Sequence, residues 1–156
     1  MDFLGDMGIC HRAITPNHIL VESGKEPSLK LAGFREAIIY YDENLEDVNY
    51  QPCLPLSRRG NFDFQAPEIY GDPNTEVFDP IAADVWSYGA VIFFMLTGNY
   101  PYDVTKDNPQ IEEEIQSNVE ALQASKQCKK VVSRCLTTFS TDRISVETLG
   151  NQAWLT

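Results

Sequence analysis

The chain has 156 residues, 43% of them apolar, and a formal net charge of -11 at pH 7. That length suits one compact domain with its own core, and the composition excludes a disordered, collagen-like or low-complexity chain. The negative charge repels phosphate backbones and anionic lipids, so neither nucleic acid nor a membrane is an expected partner. The four cysteines form no C-x-x-C pair, which predicts an intracellular, cytoplasmic protein without a zinc site or disulfide framework.

The first half of the chain predicts one small β-hairpin and a long irregular segment. Apolar runs at 19–21 and 29–32 flank the turn-like sequence ESGKEPS, a pattern typical of two short strands joined by a turn. Residues 33–68 show little periodicity and contain the basic pair Arg58 and Arg59. A segment of this length inside a compact domain is usually functional or mobile.

The second half predicts a central buried helix. Asp79 and Pro80 are a typical helix start and Gly98 a typical stop, and the run between them is apolar on nearly all sides. The uncharged stretch at 85–102 has the length of a membrane span. Polar residues and glycines interrupt it, so the prediction is a core helix.

Three more helices follow by periodicity and capping. Ile111, Ile115 and Val119 repeat every four residues, which predicts a surface helix with one apolar stripe. Residues 125–137 place apolar side chains on one side of a second amphipathic helix. Its other side carries the cations Lys126, Lys129, Lys130 and Arg134. Ser145 can cap a last helix that runs towards Trp154.

Four ordered motifs and one arginine resemble the eukaryotic protein kinase family. The sequence HRAITPNHIL at 11–20 resembles the catalytic loop H-R-D-L-K-P-E-N-I-L, and LKLAGFR at 29–35 resembles the strand that enters the D-F-G motif. APE at 66–68 is identical to the family motif A-P-E, and DVWSYG at 84–89 matches D-x-W-S-x-G. Arg143 stands where the family keeps an arginine that pairs with the A-P-E glutamate.

The resemblance covers the larger lobe of a Ser/Thr-kinase-like domain, and the smaller lobe is missing. It implies a mainly α fold, the kinase-like C-terminal lobe with a small β-hairpin, over one partial domain at 1–156. Within that domain it implies a catalytic-loop region at 9–22, an activation-segment-like region at 33–68 and a helical subdomain at 79–156.

The positions that carry chemistry in the family hold other residues here. Ala13 stands at the position of the catalytic aspartate, and Gly33 stands at that of the D-F-G aspartate. Thr15 replaces the nearby lysine, His18 the magnesium-binding asparagine, and Asn61 the threonine that the family keeps before A-P-E. Phosphoryl transfer needs carboxylates for magnesium and for the attacking hydroxyl, so no catalytic, metal-binding or cofactor-binding residue is expected among them.

The positions that hold the larger lobe together in the family are retained. They are His11, Arg12, Phe34, Glu68, Asp84, Trp86 and Arg143. The resemblance implies that Asp84 accepts hydrogen bonds from the catalytic-loop backbone and that Glu68 and Arg143 form a buried ion pair. A retained framework around a changed site is typical of a pseudokinase.

The functional expectation is therefore a chain that is not an enzyme and that acts by protein–protein interaction, as a scaffold or modulator of signalling. Its partner would be a kinase or another signalling component, and the face left bare by the missing helix could pair with a second copy. One alternative is an atypical Ser/Thr kinase whose small lobe comes from elsewhere. Another is a truncated gene product without an independent role.

Two surfaces are candidate docking sites. One is the stripe of Ile111 and Ile115 behind the acidic face of the first surface helix, and the other is the cationic face of the second. For the cations a solvated helix face is the better explanation, because charged faces of amphipathic helices usually lie in water.

Overall fold

A computed structural model describes most of the chain. The described residues are 2–24, 28–42, 44, 46–52, 62–70, 74, 76–103 and 109–152. Four residues singled out above, Arg58, Arg59, Asn61 and Trp154, lie outside them.

The described residues form five α-helices and eight short strands. The helices are α1 (Asp2–Asp6), α2 (Pro80–Thr97), α3 (Ile111–Glu120), α4 (Lys126–Cys135) and α5 (Val146–Gly150). The strands are β1 (Ile9–Cys10), β2 (Ile19–Glu22), β3 (Ser28–Leu31), β4 (Ile38–Ile39), β5 (Tyr41–Asp42), β6 (Asp47–Val48), β7 (Gln51–Pro52) and β8 (Val77–Phe78). Five 3-10 turns lie between them, at Pro16–His18, Phe34–Glu36, Phe62–Phe64, Pro67–Tyr70 and Ser140–Asp142.

Helix α2 begins and ends where the sequence predicts. The Asp79 carboxylate accepts hydrogen bonds from the backbone N–H groups of Ile81 and Ala82, at 2.8 and 3.3 Å, which satisfies two of the free donors at the helix start. At the other end Gly98 adopts a left-handed conformation with φ 71°, which glycine tolerates without a steric penalty. This helix is the centre of the core.

Helix α4 packs on α2, and α3 packs on α4, through the predicted apolar stripes. Ile115 and Val119 of α3 and the apolar side of α4 are at most 2% exposed. A Cβ atom on Gly89 would lie 2.5 Å from the Cβ of Cys135, so the bare glycine lets α4 approach α2 closely. Ser145 caps α5 by accepting a hydrogen bond from the backbone N–H of Thr148 at 3.1 Å.

The predicted hairpin is present, and three further ladders accompany it. Strands β2 and β3 pair antiparallel, with Ile19 opposite Leu31 and Val21 opposite Leu29. The prediction of one hairpin was incomplete, because β1 pairs with β4, β5 with β6 and β7 with β8. Each of these strands has two residues, too few for an alternating pattern to show in a sequence. Among the described residues of 33–52, those of β4, β5, β6 and β7 are therefore ordered by short ladders.

One described helix, α2, is long and apolar enough to cross a membrane, with 61% of its 18-residue window buried inside the protein. A core helix passes the same test, which agrees with the prediction. The fold is mainly α with small hairpins, as expected.

Candidate functional site

Asp84 fixes the turn that precedes the candidate site. Its carboxylate, in the second turn of α2, accepts hydrogen bonds from the backbone N–H groups of His11 at 2.6 Å and Arg12 at 2.8 Å. Arg12 has φ 64°, a left-handed conformation that costs an L-residue free energy unless its surroundings hold it. Burial raises the pKa of Asp84 to about 6, against the opposing effect of the two hydrogen bonds.

His11 joins the loop to the segment after the hairpin. Its Nε2–H donates to the Ala32 carbonyl at 2.8 Å, and its Nδ1 accepts from the Ala13 N–H at 3.2 Å, which assigns the proton to Nε2. The Phe34 ring meets it edge-on, with 4.7 Å between centroids. Burial lowers the pKa of His11, since a charged imidazole is poorly solvated in the interior. His11 is therefore a neutral structural link.

His18 and Gly33 are fitted to each other. The His18 Nδ1–H donates to the Ala13 carbonyl at 2.7 Å, which holds the ring against Gly33. A Cβ atom on Gly33 would lie 2.5 Å from Cδ2 of His18, and Gly33 has φ 82°. A side chain at position 33 therefore requires both a strained backbone and a displaced imidazole.

The four positions in this cleft do not fit magnesium. They offer a methyl group at Ala13, a hydroxyl at Thr15, an imidazole at His18 and no side chain at Gly33. Magnesium takes octahedral oxygen ligands, usually carboxylates, and the His18 nitrogen beside Ala13 is already a hydrogen-bond donor. The Thr15 hydroxyl is the one side-chain oxygen here, and it is buried without a partner.

The second group of retained residues surrounds Arg143. Its guanidinium forms a two-pronged ion pair with Glu68, at 2.5 and 2.7 Å, with the Arg143 side chain 1% exposed. Its other hydrogen bonds are accepted by the backbone carbonyls of Ala82, Thr137 and Thr138. The guanidinium also lies 4.9 Å from the ring centre of Trp86. The burial of this charge is therefore fully compensated.

The structure brings the predicted framework together in two clusters and leaves the docking residues elsewhere. His11, Arg12, Phe34 and Asp84 form one cluster, and the group around Arg143 forms the other. On α3, Ile115 is fully buried and Ile111 half-buried, so this stripe packs mainly into the core. The cationic face of α4 is less free than predicted, since the Lys129 ammonium bonds the Glu120 carbonyl.

The sequence did not reveal several contacts of the site. Glu112 belongs to the acidic face of α3, and its carboxylate accepts hydrogen bonds from the Thr138 N–H at 2.7 Å and from Gln116 at 2.9 Å. A hollow of about 310 Å³ also opens beside Arg12, between Glu36, Gln65 and Asp84. The contacts to Ala32 and Thr138 use backbone atoms, which leave no signal in residue types.

Comparison with known proteins connects these clusters to a family. A model of the protein kinase domain matches residues 1–155. The serine/threonine-protein kinases SRK2G and SRK2B of Arabidopsis thaliana are 27% and 26% identical, over 99% and 95% of this chain. SAPK4 of Oryza sativa subsp. japonica, also named a serine/threonine-protein kinase, is 25% identical over 95% of this chain. The chain spans 42% of the length of SRK2G and 40% of the other two.

These comparisons contradict the expectation that the chain is not an enzyme. The relatives are named serine/threonine-protein kinases, and the matched family is one of enzymes. The expectation came from the residue types at Ala13, Thr15, His18 and Gly33, whose assignment as changed catalytic positions stays a prediction. The resemblance to the protein kinase family is confirmed over residues 1–155, and the chain belongs to the protein kinase domain family.

Proposed function

We propose that this member of the protein kinase family acts through protein–protein contacts of its larger lobe, as a scaffold or modulator of Ser/Thr phosphorylation signalling inside the cell. The observation that supports the proposal is the contrast between the framework clusters and the contact of His18 with Gly33. Asp84, Glu68 and Arg143 make the framework hydrogen bonds, while His18 packs on Gly33 where metal ligands would be needed. The chain therefore keeps the hydrogen bonds of the framework without the side chains that would hold a metal.

A second candidate function is Ser/Thr phosphoryl transfer, carried out together with a small lobe. The names of the relatives favour it, because SRK2G and SRK2B are serine/threonine-protein kinases. The residues of this chain would then contribute the rigid turn at His11 and Arg12 and a surface for the protein substrate.

The partner in the first candidate is a kinase or another signalling protein. The exposed cations of α4, Lys126, Lys130 and Arg134, are a docking surface for an acidic partner, and Ile111 at the start of α3 adds a half-buried apolar contact. Self-association is a further route to regulation. Strand residues Leu20, Val21 and Leu29 are 54%, 65% and 67% exposed, and such apolar surface favours association.

One assay with two arms tests both candidates. Increasing amounts of the purified chain are added to an active serine/threonine kinase that phosphorylates a generic protein substrate with radiolabelled ATP. A saturable change in the rate of that kinase is expected from a modulator. The second arm omits the active kinase, and label on the substrate in that arm supports phosphoryl transfer by the chain.

A matched pair of variants makes the first arm specific. Lys130→Glu should weaken the change in rate, because it reverses a charge in the middle of the cationic face of α4. Arg35→Glu makes the same charge change at a side chain that is 93% exposed elsewhere and should leave the response intact. A kinase rate that does not respond to the chain at any concentration contradicts the proposal.

A further inference from the structure

A divided hollow lies between α1, β4 and α5, away from the cleft of His18. One part has a volume of about 470 Å³ and the other about 260 Å³. Gly5, Asp6 and Tyr40 line both parts. The Tyr40 hydroxyl donates a hydrogen bond to the Gly5 carbonyl at 2.9 Å, which ties two of these shared lining residues to each other.

One side of the hollow presents unusually exposed apolar side chains. Met7, Ile39 and Tyr41 line the smaller part and are 57%, 69% and 46% exposed. Strand β4 pairs with β1 on one edge, with Ile9 opposite Ile39. The backbone that carries the exposed Ile39 side chain is therefore held by this strand pairing. Exposed apolar groups clustered around a concavity mark interaction sites more often than scattered ones do.

The charge around the hollow has one sign. Asp6 lines both parts and Glu147 lines the larger, and both carboxylates belong to exposed residues. The described residues that line the two parts include no Lys, Arg or His. The formal charge of the whole chain is -11, which adds to the negative potential there. A ligand that places cations beside apolar groups is the electrostatic complement.

We propose that this hollow binds a basic, apolar segment of another protein, with leucine-like side chains on either side of Tyr40 and arginine or lysine groups at Asp6 and Glu147. The inference rests on the protein-binding role proposed above and assigns it a second surface with its own partner chemistry. Because the partner is basic, it differs from the acidic partner that suits the cations of α4.

A second copy of the chain fits the hollow less well. The apolar residues of α4 itself, Cys128, Val131 and Val132, are at most 2% exposed, so α4 offers its cations without apolar side chains of its own beside them. Lys30 lies among exposed apolar residues of the hairpin, but its ammonium is paired with Glu22 at 2.8 Å. Two chains of the same negative charge also repel each other. These observations favour a foreign segment.

Fluorescence anisotropy with three labelled eight-residue peptides tests the proposal on the whole chain. The first peptide alternates leucine and arginine, the second leucine and glutamate, and the third serine and arginine. The leucine–arginine peptide should bind about tenfold tighter than either of the others, which corresponds to roughly 1.4 kcal/mol. Equal binding of all three peptides, or none, overturns the proposal.

Variants locate the binding. Glu147→Lys should weaken binding of the leucine–arginine peptide about tenfold, whereas Glu113→Lys, the same change at an exposed residue of α3, should not. Ile39→Ala should weaken it several-fold, and Val77→Ala, at a strand residue 63% exposed, should not. Melting temperatures check that all four variants fold.

Three results contradict the inference. Equal losses in Glu147→Lys and Glu113→Lys would mean that only net charge matters, and equal losses in Ile39→Ala and Val77→Ala would remove the apolar contact. Sedimentation showing a dimer of the chain that Glu147→Lys dissociates would assign the hollow to a second copy. Peptide binding is measured directly, so a silent kinase-rate assay with tight peptide binding would contradict the proposed function alone.

Discussion

The framework clusters and the cleft of His18 are held together differently. In the framework, buried charged groups are hydrogen-bonded: the Asp84 carboxylate accepts from two backbone donors, and the Arg143 guanidinium donates five hydrogen bonds. In the cleft, one imidazole packs against a glycine. Charge compensation sets the stability of the first region, and steric fit sets that of the second.

The largest effect is expected from breaking the ion pair of the framework. Arg143→Ala should lower the free energy of unfolding by about 3–5 kcal/mol, because it strands the Glu68 carboxylate and removes donors from three carbonyls. Urea unfolding measures the change. Arg35→Ala, whose side chain is 93% exposed beside Glu36, should change stability little. A loss below about 1 kcal/mol in Arg143→Ala would show that water replaces the pair.

The pH dependence of stability should report Asp84. Its folded pKa of about 6 lies above the unfolded value near 4, so the folded state binds the extra proton between those values. This contribution is fully present below about pH 4 and is lost as pH rises through 6. It is on the order of 2 to 3 kcal/mol at most.

The variant Asp84→Asn isolates that contribution. The stability of the original chain minus that of Asp84→Asn should increase as pH falls from 7 to 4.5. His11, whose lowered pKa acts in the opposite direction, is present in both proteins and so largely cancels. Urea titrations at several pH values measure the difference, and a flat difference would mean that Asp84 is not buried as described.

The steric fit of His18 against Gly33 predicts a smaller loss of stability, part of which a second substitution restores. Gly33→Ala should cost about 1–3 kcal/mol, because its Cβ meets the His18 ring and its φ of 82° strains an L-residue. The double variant His18→Gly/Gly33→Ala should recover the steric part but not the backbone part. Thermal or urea unfolding of the four proteins forms a cycle. Additive losses would contradict the contact between the two residues.

The smallest of these effects concerns the cap that begins the central helix. Asp79→Ala should destabilise the chain by about 1 kcal/mol, since the Ile81 and Ala82 N–H groups lose their acceptor. Asp79→Asn keeps an acceptor oxygen and should lose less. A loss as large as that of Arg143→Ala would place Asp79 among the compensating charges of the framework.

The sequence predicted those parts of the fold that depend on periodicity and terminal chemistry. Asp79, Gly98 and Ser145 take their expected places at helix ends. The resemblance supplied the pairing of Glu68 with Arg143, two residues that are 75 positions apart. No local pattern carries information over that distance.

What the sequence missed depends on shape or on backbone atoms. The fit of His18 against Gly33 depends on how two loops lie relative to each other. Strands β1 and β4 have two residues each, too few to show an alternating pattern in the sequence. The hollow beside Tyr40 arises from three elements that meet only in the fold. Residue types alone also suggested a non-enzyme, which the comparison with the kinases contradicts.

The close approach of α2 and α4 at Gly89 has a consequence for cysteine chemistry. Cys135 is fully buried, and burial raises the pKa of its thiol to about 12, so the reactive thiolate hardly forms at neutral pH. The Cys135 thiol should therefore not react with oxidants unless α2 and α4 separate.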